Sequence, residues 1–163
     1  MIDHPFSLLD RLLIGLNNAL DVVGGTAQGT GRPNPGHAHA LPELSEPDKT
    51  KSARLLRVDH AGEVAAQGLY QGQAMVARNA EVAARLQRAA DEENDHLAWC
   101  RERIVELGGR TSRLDPVWYM GSFVIGAAAG LAGDRWSLGF VVETERQVVR
   151  HLENHLARLP TQD

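Results

Sequence analysis

The sequence predicts an all-α bundle, on three observations. Apolar residues recur at three- and four-residue spacing along most of the chain. No stretch carries the two-residue alternation of a strand. The breaks between periodic segments hold Ser, Pro or Gly, where helices begin and end. With 163 residues, 43% hydrophobic and 23% charged, the chain can bury one core. A net charge of −4 excludes the basic field that a nucleic-acid partner needs. The single cysteine, Cys100, excludes an internal disulfide and fits a reducing compartment.

The elements follow in order. Leu9, Leu12, Leu13, Leu16 and Leu20 give a short amphipathic helix over Phe6 to Val23, stopped by Gly24-Gly25. This makes residues 1–23 an N-terminal unit. A Gly/Pro-rich stretch follows, and residues 24–44 read as a flexible linker in which His37 and His39 are exposed. Residues 45–163 form the main domain. There, Ser45 caps a long helix, with Pro47 in its first turn and Asp48 closing a capping box. That helix runs to about Arg78. A short turn leads to an antiparallel helix ending at Leu107, before Gly108-Gly109. Asp115-Pro116 opens an apolar helix to about Leu131. The uncharged run from Pro116 to Gly133 falls short of the roughly 20 apolar residues of a span, so it reads as a buried or membrane-touching helix. A last helix runs from about Trp136 to Leu159 and stops at Pro160. The start of the chain lacks the basic residues of a secretory signal or a mitochondrial presequence.

Ionisable residues lie on the apolar stripes. In the first long helix the stripe is Leu56, Asp59, Glu63, Ala66, Tyr70 and Gln73. In the second it holds Leu86, Ala89, Ala90, Glu93, His96, Leu97, Cys100 and Ile104. In the last it is Leu138, Val141, Glu145, Val148, Leu152 and Leu156, which selects Glu145 over Glu143 as the inward carboxylate. Burying ionised carboxylates is costly unless they are paired or bind a metal. Glu63, Glu93, His96 and Glu145 come from three helices and need a common partner. A cation supplies it, and carboxylate oxygen with imidazole nitrogen suits iron, manganese or zinc. One Glu plus Glu-x-x-His from facing helices is half of the di-metal carboxylate arrangement of ferritin-like bundles. Cys100 reads as core filling. His151 and His155 read as lying at the edge of the last helix, with surface roles favoured over roles behind the metal ligands, and the Trp residues as structural or membrane-facing.

The segments "LLRVDHAGEVAAQGLYQGQ", "DEENDHL" and "LGFVVETERQVVRHLENHL" resemble the demethoxyubiquinone hydroxylase family of ubiquinone biosynthesis, over about Ser52 to Pro160. The resemblance implies a ferritin-like bundle with an additional apolar helix and a carboxylate-bridged centre of two iron ions. It implies oxygen-dependent hydroxylation of a demethoxyubiquinol ring. Glu63, Glu93 and His96 would be ligands, with Glu93 bridging, and Glu145 would be a ligand from the later helix. The family pattern also needs a second Glu-x-x-His after Glu145. None follows within the 163 residues, so the last bundle helix and its Glu and His ligands are expected beyond residue 163. Similarity to the bacterial members implies a peripheral protein on the cytoplasmic side of the bacterial inner membrane. The implied partners are demethoxyubiquinol, O2 and the membrane surface. Other ubiquinone-biosynthesis proteins and a second copy of the chain stay open, and nucleic acid is not expected. Two readings compete with the hydroxylase: an iron-storing bundle without organic substrate, and a non-catalytic or iron-binding partner lacking a complete di-iron site.

Overall fold

Each predicted helix forms. The computed structural model of the chain describes residues 7–39, 43–161 and 163. Met1–Phe6 of the predicted N-terminal unit, Ala40–Pro42 of the predicted linker, Gln162 and the Leu12 side chain lie outside the described residues. Helix α1 spans Leu8–Gly24, α2 Glu46–Val76, α3 Ala80–Glu106, α4 Asp115–Leu131 and α5 Asp134–Leu156. Ser7, Ser45 and Asn79 cap α1, α2 and α3, while α4 and α5 start without a side-chain cap, Asp115 lying inside the first turn of α4. No strand occurs among the described residues. Ser45 accepts from the Asp48 amide at the start of α2, as its capping pattern requires. Gly25 ends α1 at φ 76°, a left-handed conformation that suits glycine. Asp134 joins the ends of three helices: its carboxylate accepts from the amides of Arg78 (3.1 Å) and Asn79 (3.0 Å) in the α2–α3 turn.

α2 is the axis of the fold. α3 and α5 run antiparallel to it, and α4 runs parallel to it. Ala66, Leu69 and Tyr70 of α2 meet Leu86 and Ala90 of α3 in one apolar cluster, while Val22, Val64, Leu97 and Tyr119 join α1 to α4 in a second. The α2–α4 contact is made by glycines. A Cβ on Gly72 would stand 2.2 Å from the Phe123 carbonyl oxygen, and one on Gly126 would stand 2.1 Å from that of Leu69. The two backbones therefore touch, which no larger residue permits.

The last helix departs from its predicted seam. Along α5 only Ser137 and His155 are buried. Val141 and Val148 are half-buried, while Leu138, Leu152 and Leu156 are exposed. α5 rests mainly on α4 and α2, and its far side has no such cover. The segment expected as a flexible linker is tied along α3. Thr30 Oγ1 donates to Asp95 Oδ2 at 2.5 Å and Arg32 Nε donates to the same oxygen at 3.0 Å. Further on, Asn34 Nδ2 donates to Glu102 at 2.7 Å. His37 is exposed as expected and pairs with Glu102 at 3.1 Å. Large apolar residues of α1 (Leu9, Leu13, Leu16, Leu20) and α4 (Val117, Trp118, Met120, Val124, Ile125) face outward. Among the described residues no helix is long and apolar enough to cross a membrane.

Candidate metal centre

The α2 and α3 stripes bring Glu63, Glu93 and His96 together inside the helix pair. One ligand atom from each lies within 4.8 Å of the others. His96 Nδ1 is 2.9 Å from Glu93 Oε2 and 3.9 Å from Glu63 Oε2. Both carboxylates are almost enclosed, with side-chain exposures of 13% for Glu63 and 12% for Glu93. The rest of the α3 stripe packs as its periodicity requires: Leu86, Ala90, Leu97 and Ile104 are buried beside Glu93.

The electrostatics are those of two acids sharing one charge. Burial, and then the neighbouring Glu93, push the Glu63 carboxyl up to about 10. Glu93 is equally penalised by burial, but hydrogen bonds with His96 and Glu63 outweigh this and hold it below the ordinary range. Its hydrogen bond to His96 raises the imidazole in turn. One proton thus does what a cation would do better, neutralising two facing carboxylates with an imidazole beside them. Two oxygens and a nitrogen converging in an enclosed site fit iron, so the donor set suits the expected metal. The segment 24–39, the strap along α3, partly covers the outer side of His96: Arg32 Nη2 is 3.4 Å from His96 Nε2, and its guanidinium lies over the Trp99 ring. Cys100 is a neutral thiol, pushed up to about 12 by burial and the three nearby carboxylates, consistent with core filling.

Glu145 stands apart from this group. It projects from α5 toward α2 and accepts a hydrogen bond from the Tyr70 hydroxyl, but it is exposed on its other side. Its charge still reaches Glu63, and partial burial raises its own carboxyl. Glu143 is solvent-facing, as predicted, and pairs with Arg150 at 3.3 Å.

Two features escaped the sequence reading. His151 and His155 are not merely at the surface: His155 is buried, and both imidazoles face Asp59 of α2. Their i, i+4 spacing on one helix was the available signal. The second is His60, fully buried with Nδ1 3.6 Å from the Asp115 carboxylate. Burial, aided by the charge of Arg101, holds its imidazole near 4, so it is neutral. Beside these groups a cleft of about 490 Å³ opens between α2 and α5 and reaches Glu63, walled by Val58, Ala65, Trp118, Val148 and Leu152.

The family described as ubiquinone biosynthesis protein COQ7 matches residues 50–163. A 3-demethoxyubiquinol 3-hydroxylase of Nitrosococcus oceani is 55% identical over 163 residues, covering all of this chain and 76% of that protein. The protein of the same name from Nitrosospira multiformis is 57% identical over 155 residues, covering 95% of this chain and 74% of its own length. A third, from Polynucleobacter necessarius, is 54% identical over 158 residues. No solved structure matches the chain.

Proposed function

This chain belongs to the ubiquinone biosynthesis protein COQ7 family, and from that premise we propose that it hydroxylates the ring of demethoxyubiquinol with O2. The observation that carries the reading is the convergence of Glu63, Glu93 and His96 between two helices. Such a pattern costs stability unless a cation is to be held there. Iron bound at these residues would supply the activation of O2. Glu63, Glu93 and His96 would hold it, the His96 Nδ1 standing 2.9 Å from Glu93 and 3.9 Å from Glu63. Glu145 is the candidate ligand from α5, reached once its carboxylate leaves the Tyr70 hydroxyl.

The chain's own residues also admit the substrate. The α2–α5 cleft has apolar walls and a carboxylate at its inner end, which suits an aromatic quinol ring followed by a hydrocarbon tail. In the net reaction one oxygen atom of O2 enters the ring C–H bond. The other leaves as water, with two electrons and two protons from a reductant. The exposed apolar residues of α1 and α4 lie in the membrane surface, on the cytoplasmic side of a bacterial inner membrane, so that the tail passes from bilayer to cleft.

The test is a single-turnover assay. The purified chain, loaded with Fe(II), is mixed with a short-chain demethoxyubiquinol and 18O2, and the product is analysed by mass. Incorporation of one labelled oxygen atom is expected. Iron binding without any labelled product would instead support the non-catalytic iron-binding reading. That reading is favoured by the position of Glu145 outside the converged group. For the membrane, flotation with phosphatidylcholine vesicles should carry the chain upward. Recovery of all protein at the bottom of the gradient would overturn the surface assignment.

A further inference from the structure

We propose that Asp59, His151 and His155 form a second binding site for a divalent transition-metal cation, separate from the Glu63–Glu93–His96 group. His151 and His155 are one turn apart on α5, so both imidazoles leave the helix on the same face. Their rings are stacked at an angle with centroids 4.0 Å apart. Across from them stands Asp59 of α2, and one ligand atom from each of the three lies within 4.8 Å of the others. His155 Nδ1 is 2.6 Å from Asp59 Oδ1, and His151 Nε2 is 3.4 Å from the same oxygen.

The geometry points to a cation rather than to an ordinary ion pair. The Asp59 and His155 side chains are more than nine-tenths buried, at 9% and 8% exposure. Yet Asp59 Oδ1 and His155 Nδ1 make no hydrogen bond, although they are close enough for one. Buried polar atoms left this way are costly. A cation bound to both removes the cost and takes the His151 nitrogen, 3.4 Å from the same oxygen, as a third donor.

Two imidazoles and one carboxylate on one side, with the cleft on the other, make a two-histidine, one-carboxylate donor set with open positions. Zinc, iron(II) and cobalt(II) all take such ligands. His151 is half-exposed at 45% and lines the cleft, which gives the ion its entry path. Asp59 is one turn from Glu63 on α2, a rise of about 5.4 Å, so the two sites are neighbours and share no ligand.

The experiment is anaerobic Co(II) titration of the full chain, read by visible absorption and by ions bound per chain. A variant carrying Glu63→Gln, Glu93→Gln and His96→Ala removes the first group. It should still bind one Co(II), with ligand-field bands that vanish when His151→Ala and His155→Ala are added. Because His155 is buried, His151→Ala alone serves as a second test: its side chain is half-exposed, and it should weaken this site at least tenfold while circular dichroism stays unchanged. No Co(II) bound by the triple variant with its helical signal intact would overturn the proposal. So would bands and affinity that survive the loss of His151. If the triple variant loses its helical signal, His151→Ala in the otherwise unaltered chain decides: one ion fewer per chain supports the site, and an unchanged count overturns it.

Discussion

α3 and α5 both run antiparallel to α2, and both turn a Glu and a His toward it, yet the two sides are built differently. On the α3 side Glu93 is buried, and His96 is backed by Arg32 and Trp99. The 24–39 strap partly covers it from outside, held by Asp95 and Glu102. On the α5 side Glu145 leans on Tyr70 but stays open to water, its seam neighbours Val141 and Val148 are only half-buried, and Leu138, Leu152 and Leu156 are exposed. Position on an apolar stripe sets the direction in which a side chain points. Enclosure requires a second layer behind the helix that carries it, and among the described residues α3 has one in the strap while α5 does not.

The largest expected effect tests that contrast directly. His96→Ala or Glu93→Ala should weaken Fe(II) binding at least a hundredfold in anaerobic titration, while Glu145→Gln should weaken it less. Glu143→Ala, facing solvent, should leave it unchanged. Equal losses in Glu145 and Glu93 variants would erase the difference between the two sides. Next comes the contact beneath both. Gly72→Val forces the α2 and α4 backbones apart and should cost about 3 kcal/mol of unfolding free energy, at the upper end for overpacking. Chemical denaturation measures it.

A smaller loss is expected from the strap. Asp95→Ala removes the acceptor shared by Thr30 and Arg32 and should cost about 1–3 kcal/mol. Hydrogen exchange should then quicken in residues 24–39 and not in α5. A separate effect is one of pH. In metal-free protein Glu63 holds its proton up to about 10 when folded, but only to the ordinary 4.5 when unfolded. Between those values the folded state binds more protons, so stability contributed by this group falls as pH rises through that window. Glu63→Gln should flatten the dependence in thermal melts of chelator-treated protein, and iron should remove it from the wild type.

Much of this was legible in the residues. Helix boundaries followed from Ser45, Gly25 and Gly108-Gly109, because caps are local. The α3 face was readable for the same reason: Leu86, Ala90, Glu93, Leu97 and Ile104 obey one period and meet one partner. The Asp59–His151–His155 convergence was not readable, since it joins residues about ninety positions apart whose register depends on how α5 lies on α2. The strap escaped as well. Its glycines signal freedom in isolation, but Gly29 is where the chain comes close to Asp95: a Cβ there would stand 2.0 Å from Asp95 Oδ1. The α5 seam misled because periodicity names a face and says nothing of what covers it.

The glycine contact between α2 and α4 also has a mechanical meaning. Where side chains separate two helices, a small displacement of one is absorbed by rotamer changes. Here Gly68, Gly72 and Gly126 leave no side chain to rotate, so the spacing of the pair is fixed by its backbones. Asp59 and Glu63 stand on one of these helices. Trp118 and Met120 stand on the outer side of the other. The position of Asp59 and Glu63 relative to α4 is therefore set by backbone contact and not by side-chain rotamers.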